Sequence, residues 1–135
     1  MSYKISIKEN RGSSILTTPI IIAIGTVMVT LLIFLAVNII IPYIWYEKLS
    51  SASIKYIYIM EEFGYLTTKE VSVLKNDLKN QGFNTDKLTL KYTNYKTDYG
   101  EPIFLKIMYD YELKLPFRNI QVIPMTVERN SVSKR

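Results

Sequence analysis

No charged residue stands between Arg11 and Glu47, and from Ile20 to Ile41 the run is apolar except for Gly25, Thr26, Thr30 and Asn38. A helix rising about 1.5 Å per residue needs roughly 20 apolar residues to cross the hydrocarbon of a bilayer. The run is long enough, so the chain reads as a single-pass membrane protein with a transmembrane helix over residues 13–46. Secretory signal peptides differ, because their apolar cores span roughly 7 to 15 residues and end in small side chains. Here the run is longer and ends in Ile41-Pro42-Tyr43-Ile44-Trp45-Tyr46, so it is expected to stay in the protein. Pro42 falls where the helix leaves the hydrocarbon, and Tyr43, Trp45 and Tyr46 are the aromatic residues expected at a membrane surface.

With the anchor set aside, about 70 to 90 residues remain, enough for one small domain. The chain of 135 residues has neither histidine nor cysteine. That removes the commonest general base, the commonest metal ligand, the thiol nucleophile and any disulfide. No enzyme activity, metal or cofactor is expected. Asp110 and Glu112, on alternate positions of a strand, read as a wet sheet face. The formal net charge of +5 is dispersed rather than gathered into a basic stripe, which argues against nucleic-acid binding. Lys4, Lys8 and Arg11 against Glu9 make residues 1–12 a short cytoplasmic leader by the positive-inside bias, with the bulk of the chain extracytoplasmic.

Beyond the anchor, Leu49, Ala52, Tyr56, Ile59 and Phe63 recur at spacings of three and four, the stripe of an amphipathic helix. One helix is expected from near Ser14 to Phe63, ended by Gly64, with residues 47–66 as its amphipathic extension. Ile54 and Ile57 fall outside the apolar arc. A second helix over residues 68–81 is marked by a Thr67/Glu70 capping box, a Leu66/Val71 staple and a Gly82-Phe83 stop. The period then changes to two. Leu88, Leu90 and Tyr92 alternate with polar residues, and a long strand over 103–115 and a third over 120–128 follow. Pro124, which cannot donate a ladder hydrogen bond, points to an edge or a bulge in the third strand. The expected fold class is therefore α+β and membrane-anchored: a long N-terminal helix, a second helix and a small three-stranded antiparallel sheet, with residues 67–129 as head and 130–135 as a polar, frayed tail.

A short basic leader ending in Asn10-Arg11-Gly12-Ser13-Ser14-Ile15, a long apolar helix, an amphipathic extension and a helix-plus-sheet head together resemble the TadE-like and type IV pilin-like minor pilins. The resemblance implies cleavage between Gly12 and Ser13 by a prepilin peptidase. Position 17, a glutamate in the family, is threonine here, which points to a minor or accessory role. The resemblance further implies partners in the bilayer and in other pilin-like or membrane-complex subunits, with neighbouring helices packing through Ala23, Thr26 and Thr30. Asn38 either bonds to a partner helix or meets water at the outer interface. The implied function is a structural or accessory subunit of a bacterial pilus, secretion or conjugation-type assembly, in the cell membrane or at the cell surface. The alternative is an unprocessed single-pass interaction protein of an envelope complex.

Overall fold

The computed structural model describes residues 11–114 and 118–135, with side chains from residue 15 onward. The chain divides between Ile40 and Ile41 into two compact units. Helix α1, Arg11–Phe63, begins in the first and ends in the second. The second unit adds helix α2, Thr68–Asn80, a short 3-10 turn, Thr85–Lys87, and three strands: β1, Leu88–Tyr92, β2, Pro102–Leu113, and β3, Gln121–Val132. The sheet is antiparallel in the order β1-β2-β3, so the architecture is α+β.

In the first unit α1 is apolar and exposed around its circumference, from Ile15 through Ile40. Its length and composition suffice to cross a membrane. Residues 1–10, most of the expected leader, lie outside the described residues. Gly12 and Ser13 lie in the first turn of α1.

The second unit forms a core between α1, α2 and one face of the sheet. Leu49, Tyr56 and Met60 from α1 meet Val71, Leu74 and Leu78 from α2 and the inward residues Ile103, Leu105 and Ile107 of β2. The expected apolar arc on α1 is rotated in the structure. Ile57 is buried at 6 % exposure, Met60 is fully buried, and Phe63 is 48 % exposed. A stripe spaced at 3.5 residues drifts around a straight helix of 3.6 residues per turn, so by the end of α1 it is Met60 that lies under the sheet. Ile54 stays exposed, as its place outside the arc implies.

Both ends of α2 follow from local chemistry. The Thr67 side chain accepts from the Glu70 N–H while the Glu70 carboxylate accepts from the Thr67 N–H, the capping box expected there. At the far end the helix stops one residue before the expected Gln81. Gly82 turns left-handed (φ +99°), and the N–H groups of Gly82 and Phe83 donate to the carbonyls of Lys79 and Leu78 at 3.0 Å each. This is the Schellman arrangement, and it buries Phe83.

Pro124 does sit on an edge strand, opposite Asp110 of β2. Strand β2 ends at Leu113, two residues short of Leu115, which lies outside the described residues. The main difference from expectation is at the C-terminus. Instead of fraying at Asn130, β3 runs to Val132, and Ser133 is fully buried. The Ser133 N–H donates to the Glu101 carbonyl at 2.9 Å, the Gly100 N–H to the Ser133 carbonyl at 2.8 Å, and the Lys134 N–H to the Glu61 carbonyl at 2.7 Å. Polar side chains had suggested a loose tail, but backbone hydrogen bonds, which composition does not reveal, tie it down.

Candidate functional site

Two surfaces are candidates: the exposed apolar stretch of α1 in the first unit, and the seat in the second unit where the sheet closes on α1.

In the first unit, Ala23, Thr26 and Thr30 occupy one side of the helix, as spacings of three and four require. A shallow groove of about 250 Å³ runs beside Ala23, Ile24, Val27 and Met28. The Thr26 hydroxyl donates to the Ile22 carbonyl at 2.9 Å and the Thr30 hydroxyl to the Thr26 carbonyl at 2.8 Å. The Asn38 amide donates to the Phe34 carbonyl at 2.8 Å. Each of these three donors is thus satisfied within its own helix. Such a surface supports close apolar packing, while Asn38 keeps its amide oxygen and its second amide N–H for a polar contact. Gly12 and Ser13, the expected cleavage junction, are helical in backbone and far along the chain from these four residues.

In the second unit the seat begins at Trp45. Its ring meets Phe83 edge-on at 4.7 Å, stacks over Tyr109 at 6.4 Å and tilts against Tyr111 at 5.8 Å. Lys48 places its ammonium 4.6 Å from the same ring and donates to the Gln81 carbonyl at the end of α2. A side chain at Gly82 would press on Trp45, 3.1 Å from its ring. Trp45 therefore binds the head's own elements together, whereas Tyr43 is 61 % exposed and Tyr46 also faces outward. Of the three aromatics expected at a membrane surface, two are free for that role. The signal for Trp45 was present in the sequence: it lies four residues before Leu49, one turn back along the buried stripe.

Further along α1, polar ties replace aromatic ones. Arg129 of β3 donates to the hydroxyls of Ser50 at 2.9 Å and Ser53 at 3.3 Å. The Asp77 carboxylate accepts from Lys55 at 2.9 Å and from the Tyr56 hydroxyl at 2.8 Å. Hydrogen bonds from Lys55 and then Tyr56 hold the Asp77 carboxyl below its ordinary range, while burial and then the bond to Asp77 push the Tyr56 hydroxyl well up. Near the end of α1, the Glu61 carboxylate accepts from Lys134 and from the Ser131 hydroxyl. Those two bonds lower the Glu61 pKa, and the bond to Glu61 raises that of Lys134. Periodicity could not indicate these pairs, since the partners lie from 21 to 79 residues apart.

Among the described residues no group of three or more acidic, histidine or cysteine side chains could hold a metal ion. Among the described residues, Glu112 pairs with Lys87 and Glu128 with Lys106, while the Glu70 and Glu101 carboxylates accept from the backbone N–H groups of Thr67 and Asp98. The arrangement is one of fastening. Comparison with known protein families, with curated proteins and with solved structures finds no match.

Proposed function

We propose that the chain is a single-pass membrane protein whose head, residues 41–135, lies outside the membrane and serves as a structural or accessory subunit of a bacterial pilus, secretion or conjugation-type assembly, in the manner of a minor pilin. The observation that carries this reading is the stretch of α1 that is apolar and exposed on every side and continues, as the same helix, into the core of the head. Lipid covers such a stretch in a single subunit, and neighbouring helices cover it in an assembly. Because the Thr26 and Thr30 hydroxyls already have acceptors in their own helix, packing at Ala23, Thr26 and Thr30 would rest on close approach of backbones rather than on hydrogen bonds. Asn38 would add one polar contact. The leader would remain cytoplasmic until a prepilin peptidase cuts after Gly12.

A second reading, an unprocessed membrane interaction protein of an envelope complex, is favoured by one observation: the backbone is already helical at Gly12 and Ser13, and a protease needs an extended substrate. The intact mass of the protein purified from membranes of a host with a prepilin peptidase decides between them. A chain beginning at Ser13 supports the pilin-like reading, and one that retains Met1 leaves only the unprocessed protein. Carbonate extraction and protease treatment of intact cells test anchorage and orientation in the same preparation. Release by carbonate, or a head protected from outside protease, would overturn the membrane topology proposed here.

A further inference from the structure

We propose that neighbouring copies of this chain join head to tail through their sheets, with strand β1 of one copy added in parallel to the open edge of β3 in the next. The inference deepens the assembly reading above, on which it rests, by naming how one head meets another.

Backbone hydrogen bonds fix which groups of β3 are open. The N–H and C=O of Ser133 both bond toward β2, at Glu101 and Gly100. Along an antiparallel strand such residues alternate with ones that point away, so Thr126, Glu128, Asn130 and Val132 direct their backbone groups to the outer edge. Lys134, next in that series, gives its N–H to the Glu61 carbonyl. Pro124, just before it, has no N–H to offer. Among the described residues nothing bonds to the N–H groups of the residues between.

The opposite edge carries a matching set. The Thr93 N–H bonds to the Phe104 carbonyl of β2, so Leu88, Leu90 and Tyr92 point away from β2. The Leu88 N–H is taken by the Thr85 carbonyl. That leaves the N–H groups of Leu90 and Tyr92 and the carbonyls of all three. Both β1 and β3 run antiparallel to β2, so they are parallel to each other.

In a parallel pair each residue bonds to the two neighbours of the residue opposite it. The register that uses these groups sets Thr126 opposite the partner's Thr89 and Glu128 opposite the partner's Lys91. The N–H groups of Thr126, Glu128 and Asn130 then reach the partner's Leu88, Leu90 and Tyr92 carbonyls. In return, the carbonyls of Thr126 and Glu128 accept from the partner's Leu90 and Tyr92.

Charge selects the same register. Within one sheet Lys91 lies opposite Lys106, a like charge, and Lys106 lies opposite Glu128, to which it is paired at 3.2 Å. Glu128 of the next copy would stand on the open side of Lys91 and relieve that repulsion. Two β3 edges paired antiparallel would instead bring both Glu128 carboxylates toward each other.

Apolar surface agrees as well. Ser50 and Glu61, which bond to Arg129 and Ser131, mark the side of α1 beneath β3. Ile54 and Tyr58, one and two turns beyond Ser50, are 41 % and 62 % exposed on that flank. An added β1 turns the partner's half-buried Leu90 and Tyr92 toward this flank and covers part of it. Because the two edges differ, the contact repeats from copy to copy and builds a ring or a filament.

The protein contains no cysteine, so engineered pairs crosslink without background. Two full-length copies with different tags, one carrying Thr126→Cys and the other Thr89→Cys, would be expressed together and oxidised in isolated membranes. The mixed disulfide is expected severalfold above both the Thr126→Cys product with itself and a control pair of Thr126→Cys with Val73→Cys, an exposed position on α2. Adding Glu128→Lys to the first copy should lower it severalfold, and Lys91→Glu in the second should restore it. A mixed product no higher than the control, in a chain that resists carbonate, overturns the pairing and leaves the membrane reading standing. A dominant Thr126→Cys product with itself means two-fold pairing of β3 edges, which also overturns it, as does a mixed product that Glu128→Lys leaves unchanged. Release of the chain by carbonate would remove the membrane reading and the side-by-side copies this pairing requires.

Discussion

Two stretches of α1 meet opposite demands with the same backbone. Over residues 15–41 the side chains are exposed on every side, and Thr26, Thr30 and Asn38 bond back to carbonyls four residues earlier. Over residues 49–61 one face is buried, and polar side chains reach to other elements: Lys55 and Tyr56 to Asp77, Ser50 and Ser53 to Arg129, Glu61 to Ser131 and Lys134. The first stretch satisfies its own polar groups and offers apolar surface, as an environment without water demands. The second uses polar groups as directional ties and takes its stability from packing against α2 and the sheet.

Truncating one leucine in each region should separate them most sharply. Leu105→Ala removes a fully buried side chain from the middle of β2 and should destabilise the second unit by about 2 to 5 kcal/mol. Leu32→Ala, at an exposed position of the first stretch, should stay within about 0.5 kcal/mol. Thermal unfolding of the full chain in detergent, followed by circular dichroism, measures both. Similar losses would end the distinction between the two stretches.

The glycines offer a second contrast. Gly64 has φ +82°, and a Cβ there would sit 2.7 Å from the Thr97 carbonyl oxygen. An L-residue in that conformation costs about 1 to 2 kcal/mol before the clash is counted. Gly64→Ala should therefore lower stability by at least about 2 kcal/mol. Gly25 lies within the first stretch with nothing near its Cβ position. Gly25→Ala should be neutral or raise helicity, since alanine is favoured over glycine in a helix by about 1 kcal/mol. Equal destabilisation at both glycines would mean that Gly25 is closely packed in the isolated chain.

How far these regions were legible in the sequence depended on the range of the interactions that shape them. The apolar run, the Thr67/Glu70 cap and the Gly82-Phe83 stop are local, and each lies within a few residues of its expected place. The strands were legible by their period of two, although their ends shifted where pairing rather than composition sets the limit. The polar C-terminus looked disordered because its order comes from backbone bonds to Glu101 and Glu61, which no pattern of side chains records. Ile57 was misplaced because which residues of a helix face inward depends on what packs against it. Of the candidate site, Ala23, Thr26 and Thr30 were legible as one side of the helix, while the fastening of Trp45, Arg129 and Glu61 was not, because their partners are distant in sequence.

A smaller difference is expected from removing single hydroxyls. Thr67→Ala deletes the acceptor that caps α2 and should cost about 1 kcal/mol. Thr26→Ala deletes a hydroxyl that bonds only to its own helix and should change the melting of the chain by a few tenths of a kcal/mol. Comparing the two variants by denaturant unfolding tests whether threonines in the first stretch are structurally idle until a partner helix arrives. A loss at Thr26 as large as at Thr67 would show that they are not.

The smallest effect should come from pH, and it should appear only in the second stretch. Because Lys134 and Ser131 hold the Glu61 carboxyl below its ordinary value of 4.5, the stability it contributes is complete above that value and is lost as pH falls through the lower native pKa. Asp77, lowered by Lys55 and Tyr56, acts in the same direction. Lys134 is raised above 10.5 by Glu61, so its contribution is complete below that value and fades as pH rises past the native pKa. Residues 15–41 contain no ionisable side chain, so membrane association should not follow this profile. Melting the full chain between pH 7 and pH 3 should give a midpoint that falls at the acid end. Glu61→Gln should flatten that fall while leaving the part due to Asp77, and the double variant Glu61→Gln with Asp77→Asn should flatten it further. An unchanged acid slope in the double variant would mean that the ties between α1, α2 and the C-terminus add nothing to the stability of the head.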